Sequence, residues 1–165
     1  SLSMHRLVSA VVCCFAVAAA LPHQTKINYA TVPFKNCKSI YTVKSVQISD
    51  CQLFETETSK ACLFRAGASP KMRIKFTPND DVATLETSVR AKIGSHTVPY
   101  NVENYDACVN TGLKCPLEAG KEYVYELAFT IDAEWPKNEL FQVNWDIAPA
   151  GKKGVCTVFH VKIEE

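Results

Sequence analysis

Hydrophobic and polar residues alternate with a period of two along most of the chain after residue 70. The segment MRIKFT shows this clearly, because Met72, Ile74 and Phe76 alternate with Arg73 and Lys75. Such alternation is typical of β-strands with one buried face and one solvent-exposed face. The same pattern recurs in four later segments and, more weakly, in one earlier segment: ATLETSVRAKI, KEYVYELAFTI, LFQVNWDI, VCTVFHVKI, and SIYTVKSVQI at residues 39–48.

Turn-forming residues separate these segments and define a chain of short strands. Proline, asparagine, aspartate and glycine cluster at residues 78–81, 94–95, 118–121 and 150–154. No stretch after residue 20 shows the 3.6-residue periodicity of an amphipathic helix. About seven antiparallel strands in roughly 130 residues predict an all-β sandwich of two antiparallel sheets. A small closed barrel with a ligand cavity is the alternative.

The first 20 residues follow a different pattern. Arg6 is their only charged residue, and it precedes the apolar run LVSAVVCCFAVAAA from Leu7 to Ala20. The run is shorter than the roughly 20 apolar residues of a transmembrane helix, and Ala18-x-Ala20 fits signal-peptidase cleavage before Leu21. A buried core helix is the alternative, but it would carry polar residues every three or four positions, and this run lacks that recurrence. We therefore predict a signal peptide at residues 1–20 and a single domain at residues 21–165.

The charge distribution narrows the possible partners. The chain has 18 basic and 17 acidic residues, a net charge of +1, and no run of like charge. This balance lacks the basic patch typical of proteins that bind nucleic acid or anionic membranes. We expect a secreted monomer with no nucleic-acid partner, with the lysosomal lumen as the alternative location.

Six cysteines follow the predicted signal peptide, at Cys37, Cys51, Cys62, Cys108, Cys115 and Cys156. An even number of cysteines in a secreted domain indicates three disulfides, although the spacing leaves their connectivity open. The C-x2-C and C-x4-C pairs typical of zinc sites are missing, and so is a redox C-x-x-C pair. The histidines at 23, 96 and 160 are scattered. We therefore expect no metal and no cofactor.

The positions predicted to face inward are large and often aromatic, and they allow two interpretations. They form either an ordinary core or the walls of an apolar cavity. Pro99-Tyr100 and Trp135-Pro136 place an aromatic beside a proline near strand ends, where proline is tolerated, and so favour a cavity with an aromatic rim. The inward aromatic positions are Phe76, Tyr100, Tyr123, Tyr125, Phe129, Trp135, Phe141, Trp145 and Phe159.

The chain lacks the sequence patterns of common hydrolases. It has no G-x-S-x-G elbow and no recognisable set of histidine, aspartate and serine. We interpret His96 and His160 as solvated strand positions. The sequence therefore predicts that the protein is not an enzyme and has no catalytic residues; a lipid hydrolase is the enzymatic alternative.

Several motifs in fixed order resemble the ML (lipid-recognition) domain family, in particular the Niemann-Pick type C-2 sterol carriers and the group 2 mite allergens. These motifs are VPY ending at Tyr100, then C-x6-C-P-L from Cys108, then G-K-E-Y-x-Y from Gly120. The resemblance extends from about Phe34 to Ile163. It implies an immunoglobulin-like β-sandwich with an apolar cavity between its sheets, and the disulfides Cys37–Cys156, Cys51–Cys62 and Cys108–Cys115.

The resemblance also implies a ligand-binding site. Tyr100, Ile131 and Trp135 would form the mouth of the cavity, and the residues expected behind them are Val98, Tyr125, Phe129, Val143 and Trp145. Two features depart from the sterol carriers: the longer loop between Cys51 and Cys62, and the bulk of Trp135 where a tyrosine is usual.

The function implied by the resemblance is binding and transfer of a sterol, fatty acid or other lipid. Such a carrier would pass its lipid to a membrane protein or receptor. The alternative is an extracellular recognition protein, allergen-like, that senses lipids in innate immunity or carries a chemical signal.

Overall fold

The computed structural model describes residues 26–165, so the predicted signal peptide at residues 1–20 lies outside the described residues. Every alternating segment of the sequence forms a strand. No helix within the described range is long and apolar enough to span a membrane. The strands are β1 (Tyr29–Thr31), β2 (Lys35–Asn36), β3 (Thr42–Ser49), β4 (Gln52–Glu55), β5 (Lys60–Arg65), β6 (Lys71–Thr77), β7 (Glu86–Ile93), β8 (His96–Tyr100), β9 (Tyr123–Ala128), β10 (Leu140–Ala148) and β11 (Val155–Glu164).

The strands form two sheets, which confirms the predicted sandwich over a closed barrel. The four-stranded sheet has the order β1-β3-β6-β9, and the seven-stranded sheet has the order β4-β5-β11-β10-β7-β8, with β2 also paired to β11. The eleven strands exceed the expected number of about seven because β1, β2, β4 and β8 are too short to show a clear alternation, and β5 buries adjacent residues. One pair differs from the antiparallel expectation, since β5 runs parallel to β11. Between β5 and β11 the chain crosses to the four-stranded sheet and returns, which allows these two strands to run parallel.

The core lies between the sheets and follows the alternation of the sequence. In β6, Met72, Ile74 and Phe76 are fully buried, while the residues between them are partly exposed. In β11, Phe159, Val161 and Ile163 are buried in the same way. The inward faces predicted for these strands are therefore confirmed. Burial of apolar surface in this way stabilises the fold by about 25 cal/mol per Å².

Three disulfides connect the elements in the pairing that the resemblance implied. Cys37–Cys156 joins the segment after β2 to β11 and spans 119 positions of sequence. Cys51–Cys62 closes the β4–β5 hairpin, and Cys108–Cys115 closes a short loop between β8 and β9. That short loop covers the free edge of β9, because the Glu126 N–H donates to the Thr111 carbonyl over 2.7 Å.

Candidate functional site

An apolar cavity lies between the inner face of the seven-stranded sheet and the segment that follows β9. This segment, residues 129–135, extends the layer of the four-stranded sheet. Its polar contributions to the wall are Thr130 and Asp132. The seven-stranded sheet and its edge strand β8 supply Phe64, Val89, Ala91, Tyr100, Phe141, Val143, Trp145, Phe159, Val161 and Ile163, and the segment supplies Phe129, Thr130, Ile131, Asp132 and Trp135.

Side chains nearly fill the cavity in this structure. The enclosed space measures only about 40 Å³, whereas the whole void, including space open to solvent, measures about 470 Å³. The smaller value is the relevant one for a ligand, because the larger one includes open solvent. Pockets for drug-sized ligands usually measure about 300–1,000 Å³. A ligand of that size therefore requires the walls of the cavity to move apart.

The three residues expected at the entrance, Tyr100, Ile131 and Trp135, all line the cavity, and we call their side of it the mouth. The rings of Tyr100 and Trp135 meet edge to face with centroids 5.9 Å apart, and Trp135 contacts Phe141 at 5.7 Å. Ile131 is 7% exposed. Edge-to-face aromatic contacts of this kind are favourable but weak, so the rings can separate at modest cost.

Aromatic rings also form the deeper wall. Trp145 packs against Phe129 with centroids 5.5 Å apart, and Phe129 packs edge to face against Phe64 at 6.1 Å. The indole N–H of Trp145 is buried without a hydrogen-bond partner among the described residues. Apart from this N–H group, the side chains of the deep wall offer a ligand apolar surface.

The structure brings six of the eight predicted site residues to the cavity wall. These six are Tyr100, Phe129, Ile131, Trp135, Val143 and Trp145.

The other two, Tyr125 and Val98, do not line the cavity. Tyr125 lies behind Trp145, where its hydroxyl is 2.8 Å from Thr87 Oγ1 and burial raises the pKa of Tyr125 to about 12. Val98 faces the same side as its pairing partner Ala91, but it is 36% exposed because β8 is the edge strand of the sheet.

Sequence reasoning assigned no site role to Phe64, Thr130 or Asp132. Phe64 lies in β5, whose sequence KACLFR buries adjacent residues and so lacks a clear alternation. Thr130 and Asp132 are exposed polar residues of the segment after β9, and only the tertiary fold brings them to the rim. None of the three carries a signal that a sequence pattern would reveal.

One cluster of potential metal ligands occurs within residues 26–165. It comprises Cys37, Cys156 and Asp146 on the far side of the seven-stranded sheet. The two cysteines form a disulfide, so they present no thiolates to a metal ion. This cluster is separate from the cavity.

The fold and the cavity define a class of protein: an immunoglobulin-like sandwich, cross-linked by three disulfides, with an apolar cavity between its layers. The sequence profile of the ML domain family matches residues 31–163. The chain belongs to this family.

Individual relatives agree with this assignment. The chain is 39% identical over 140 residues to the protein heh-1 of Caenorhabditis elegans, covering 84% of this chain and 90% of the relative. It is 29% identical over 110 residues to NPC intracellular cholesterol transporter 2 homolog a of Drosophila melanogaster, covering 66% and 74% of the two chains. The fold is similar to the crystal structure of a Niemann-Pick type C2 protein from the Japanese carpenter ant, with a TM-score of 0.70 and 24% identity over 80% of this chain and 99% of that chain.

Proposed function

We propose that the protein binds a lipid with a sterol-like or fatty-acid-like apolar body in the cavity and transfers it through the mouth. The observation that carries this proposal is the cavity wall, in which aromatic and aliphatic side chains outnumber polar ones thirteen to two. A relative named as a cholesterol transporter supports the same function. The three disulfides fit an oxidising compartment, so secretion or the lysosomal lumen is part of the proposal.

Burial of apolar surface supplies the free energy of binding. At about 25 cal/mol per Å², covering a few hundred Å² of a lipid contributes several kcal/mol, offset by the lost freedom of the ligand. Phe129, Val143 and Trp145 would contact the apolar body, and the three mouth residues would surround its outer end. Aromatic side chains suit this role because they provide a large area with few rotamers to restrict.

Ile131→Asp tests the proposal directly. The new carboxylate would lie in an apolar wall, where burial of an unpaired charge is strongly unfavourable, so we expect a loss of affinity of tenfold or more. The measurement is equilibrium titration of delipidated protein with a fluorescent sterol and with a fluorescent fatty acid.

Leu140→Asp is the matched control, because Leu140 is an apolar residue of β10 that is 47% exposed and does not line the cavity. Val143→Phe adds a second variant that fills the cavity and keeps its wall apolar, and it should also weaken binding. Circular dichroism verifies that each variant is folded. If wild-type protein binds neither probe, or if both Ile131→Asp and Val143→Phe bind like wild type, the proposed function is wrong.

A further inference from the structure

The hydroxyl group of Tyr100 makes two hydrogen bonds to the backbone of a single distant residue. It donates to the Thr130 carbonyl over 2.7 Å and accepts from the Thr130 N–H over 3.0 Å. These two bonds satisfy both backbone groups of Thr130, as a neighbouring strand would. The side chain of Tyr100 thus makes the two hydrogen bonds that one residue of a neighbouring strand would make.

The neighbours of Thr130 are held from the opposite side. The Ile131 N–H donates to the Ala68 carbonyl and the Ile131 carbonyl accepts from the Gly67 N–H, each over 2.8 Å. The Phe129 N–H donates to the Pro70 carbonyl over 3.0 Å. Residues 129–131 therefore behave like a strand that is bonded to residues 67–70 on one side and to Tyr100 on the other.

Tyr100 is also the link between the two sides of the mouth. It ends β8, which is the edge strand of the seven-stranded sheet and, among the described residues, pairs only with β7. Within the described part of the chain, the hydrogen bonds that join β8 to residues 129–135 are the two made by the Tyr100 hydroxyl. Burial raises the pKa of Tyr100 above its usual value, so the hydroxyl keeps its proton at physiological pH.

Passage of a lipid must disturb this link. The cavity encloses only about 40 Å³, and the Tyr100 and Trp135 rings are in contact at its mouth. If the mouth widens by a movement of β8 away from residues 129–135, both hydrogen bonds of the Tyr100 hydroxyl must break.

We propose that the Tyr100 hydroxyl is a latch that holds the mouth closed and sets the rate at which lipid enters and leaves. This inference rests on the proposed function, because it assumes that lipid passes through the mouth. The latch forms in both the empty and the loaded protein and opens only during passage. Tyr100 is therefore a positioning residue whose hydroxyl controls exchange kinetics, while its ring forms part of the wall.

Tyr100→Phe tests the latch because it keeps the ring and removes the hydroxyl. We expect the association and dissociation rates of a fluorescent lipid probe each to rise roughly 3- to 10-fold, the range that the loss of such hydrogen bonds produces. The dissociation constant should change less than either rate. Stopped-flow mixing of delipidated or loaded protein measures both rates.

Tyr105→Phe is the matched control, since it makes the same chemical change in the loop that follows β8. The Tyr105 hydroxyl donates to Asn101 Oδ1 over 3.1 Å within that loop and makes no hydrogen bond to residues 129–135. Tyr105 is 52% exposed and does not line the cavity. Its variant should exchange lipid at the wild-type rates.

Amide hydrogen exchange of the lipid-free protein gives a second measurement that needs no ligand. Tyr100→Phe should accelerate exchange of the Thr130 amide, while the Ile131 amide, bonded to Ala68, should stay protected. Unchanged exchange at Thr130 would overturn the latch, and so would faster exchange at Thr130 combined with wild-type lipid kinetics. If wild-type protein binds no lipid probe, the proposed function and the role of the latch in lipid exchange both fail. Faster exchange at Thr130 would then show only that the hydroxyl protects the Thr130 amide.

Discussion

At the scale of single residues, Gly154 shows how one position fixes the geometry of the β10–β11 hairpin. A Cβ atom on Gly154 would clash with the Ile147 carbonyl oxygen and lie 2.9 Å from Ala148 Cα. The Gly154 carbonyl also accepts a hydrogen bond from the Ile40 N–H over 2.9 Å. Because both close contacts are with backbone atoms, no side-chain rotation can relieve them. Strand β10, which carries part of the cavity wall, therefore depends on a glycine outside the cavity.

Gly154→Ala should lower the free energy of unfolding by about 1–3 kcal/mol, because the backbone must shift to accept the methyl group. Chemical denaturation measures the change. Gly151→Asn is the control in the same hairpin, since a Cβ there meets nothing within 4 Å and asparagine tolerates the positive φ of 68°. The expected contact is absent if both variants have the same stability.

At the scale of elements, a charge cluster ties together three strands on the outer face of the four-stranded sheet. Glu126 of β9 pairs with Arg73 of β6 and accepts a hydrogen bond from the Tyr29 hydroxyl of β1 over 3.0 Å. The Arg73 guanidinium also lies 3.9 Å from the centre of the Tyr29 ring. Partial burial alone would raise the pKa of Glu126, but the hydrogen bonds from Arg73 and Tyr29 and the charges of Arg73 and Lys71 lower it overall.

This lowered pKa predicts a loss of stability in acid. The stabilisation by Glu126 is complete above the pKa of the unfolded chain, near 4.5, and is lost as the pH falls through the lower pKa of the folded state. Glu126→Gln should cost about 1 kcal/mol or less at neutral pH, because the side chain is 30% exposed and solvent screens the pair. It should also flatten the dependence of stability on pH below 4.5, as measured by denaturation at several pH values. Glu122→Gln, at the more exposed pair with Lys75, should flatten it less; a pH dependence equal to wild type in Glu126→Gln would contradict the assignment.

The elements also explain how far the sequence alone could predict this molecule. Long alternating segments such as that of β6 were predictable because one face packs on the core and the other meets water. The resemblance to the ML family led us to expect the rings of Tyr100 and Trp135 beside the cavity, and both line it. The partner of the Tyr100 hydroxyl could not be predicted, because Thr130 lies 30 positions away and offers only its backbone. Likewise, nothing in the motif indicates that Val98 lies on an exposed edge.

At the scale of the whole molecule, the three disulfides differ mainly in the length of chain that they close. Cys37–Cys156 connects cysteines 119 positions apart, whereas Cys108–Cys115 connects cysteines 7 positions apart. A cross-link stabilises the fold mainly by restricting the unfolded chain, and the effect grows with the length of the closed loop. The long bridge is therefore expected to contribute more to global stability than the short one.

Replacing both cysteines of a pair with serine tests this difference. The Cys37/Cys156 double variant should lose about 5 kcal/mol of unfolding free energy, and the Cys108/Cys115 double variant about 2.5 kcal/mol. Equilibrium denaturation of the oxidised variants measures both losses. A greater loss in the Cys108/Cys115 variant would indicate that the contacts of the short loop with the edge of β9, rather than restriction of the unfolded chain, dominate.

Both tryptophans of the chain, Trp135 and Trp145, belong to the cavity wall. Trp135 is half-buried at the mouth, and Trp145 is 1% exposed in the deep wall. Tryptophan fluorescence of this protein therefore comes only from the cavity wall. A dissolved quencher reaches Trp135 far more readily than Trp145. The unlabelled protein thus carries an intrinsic optical reporter that distinguishes events at the entrance from events in the interior.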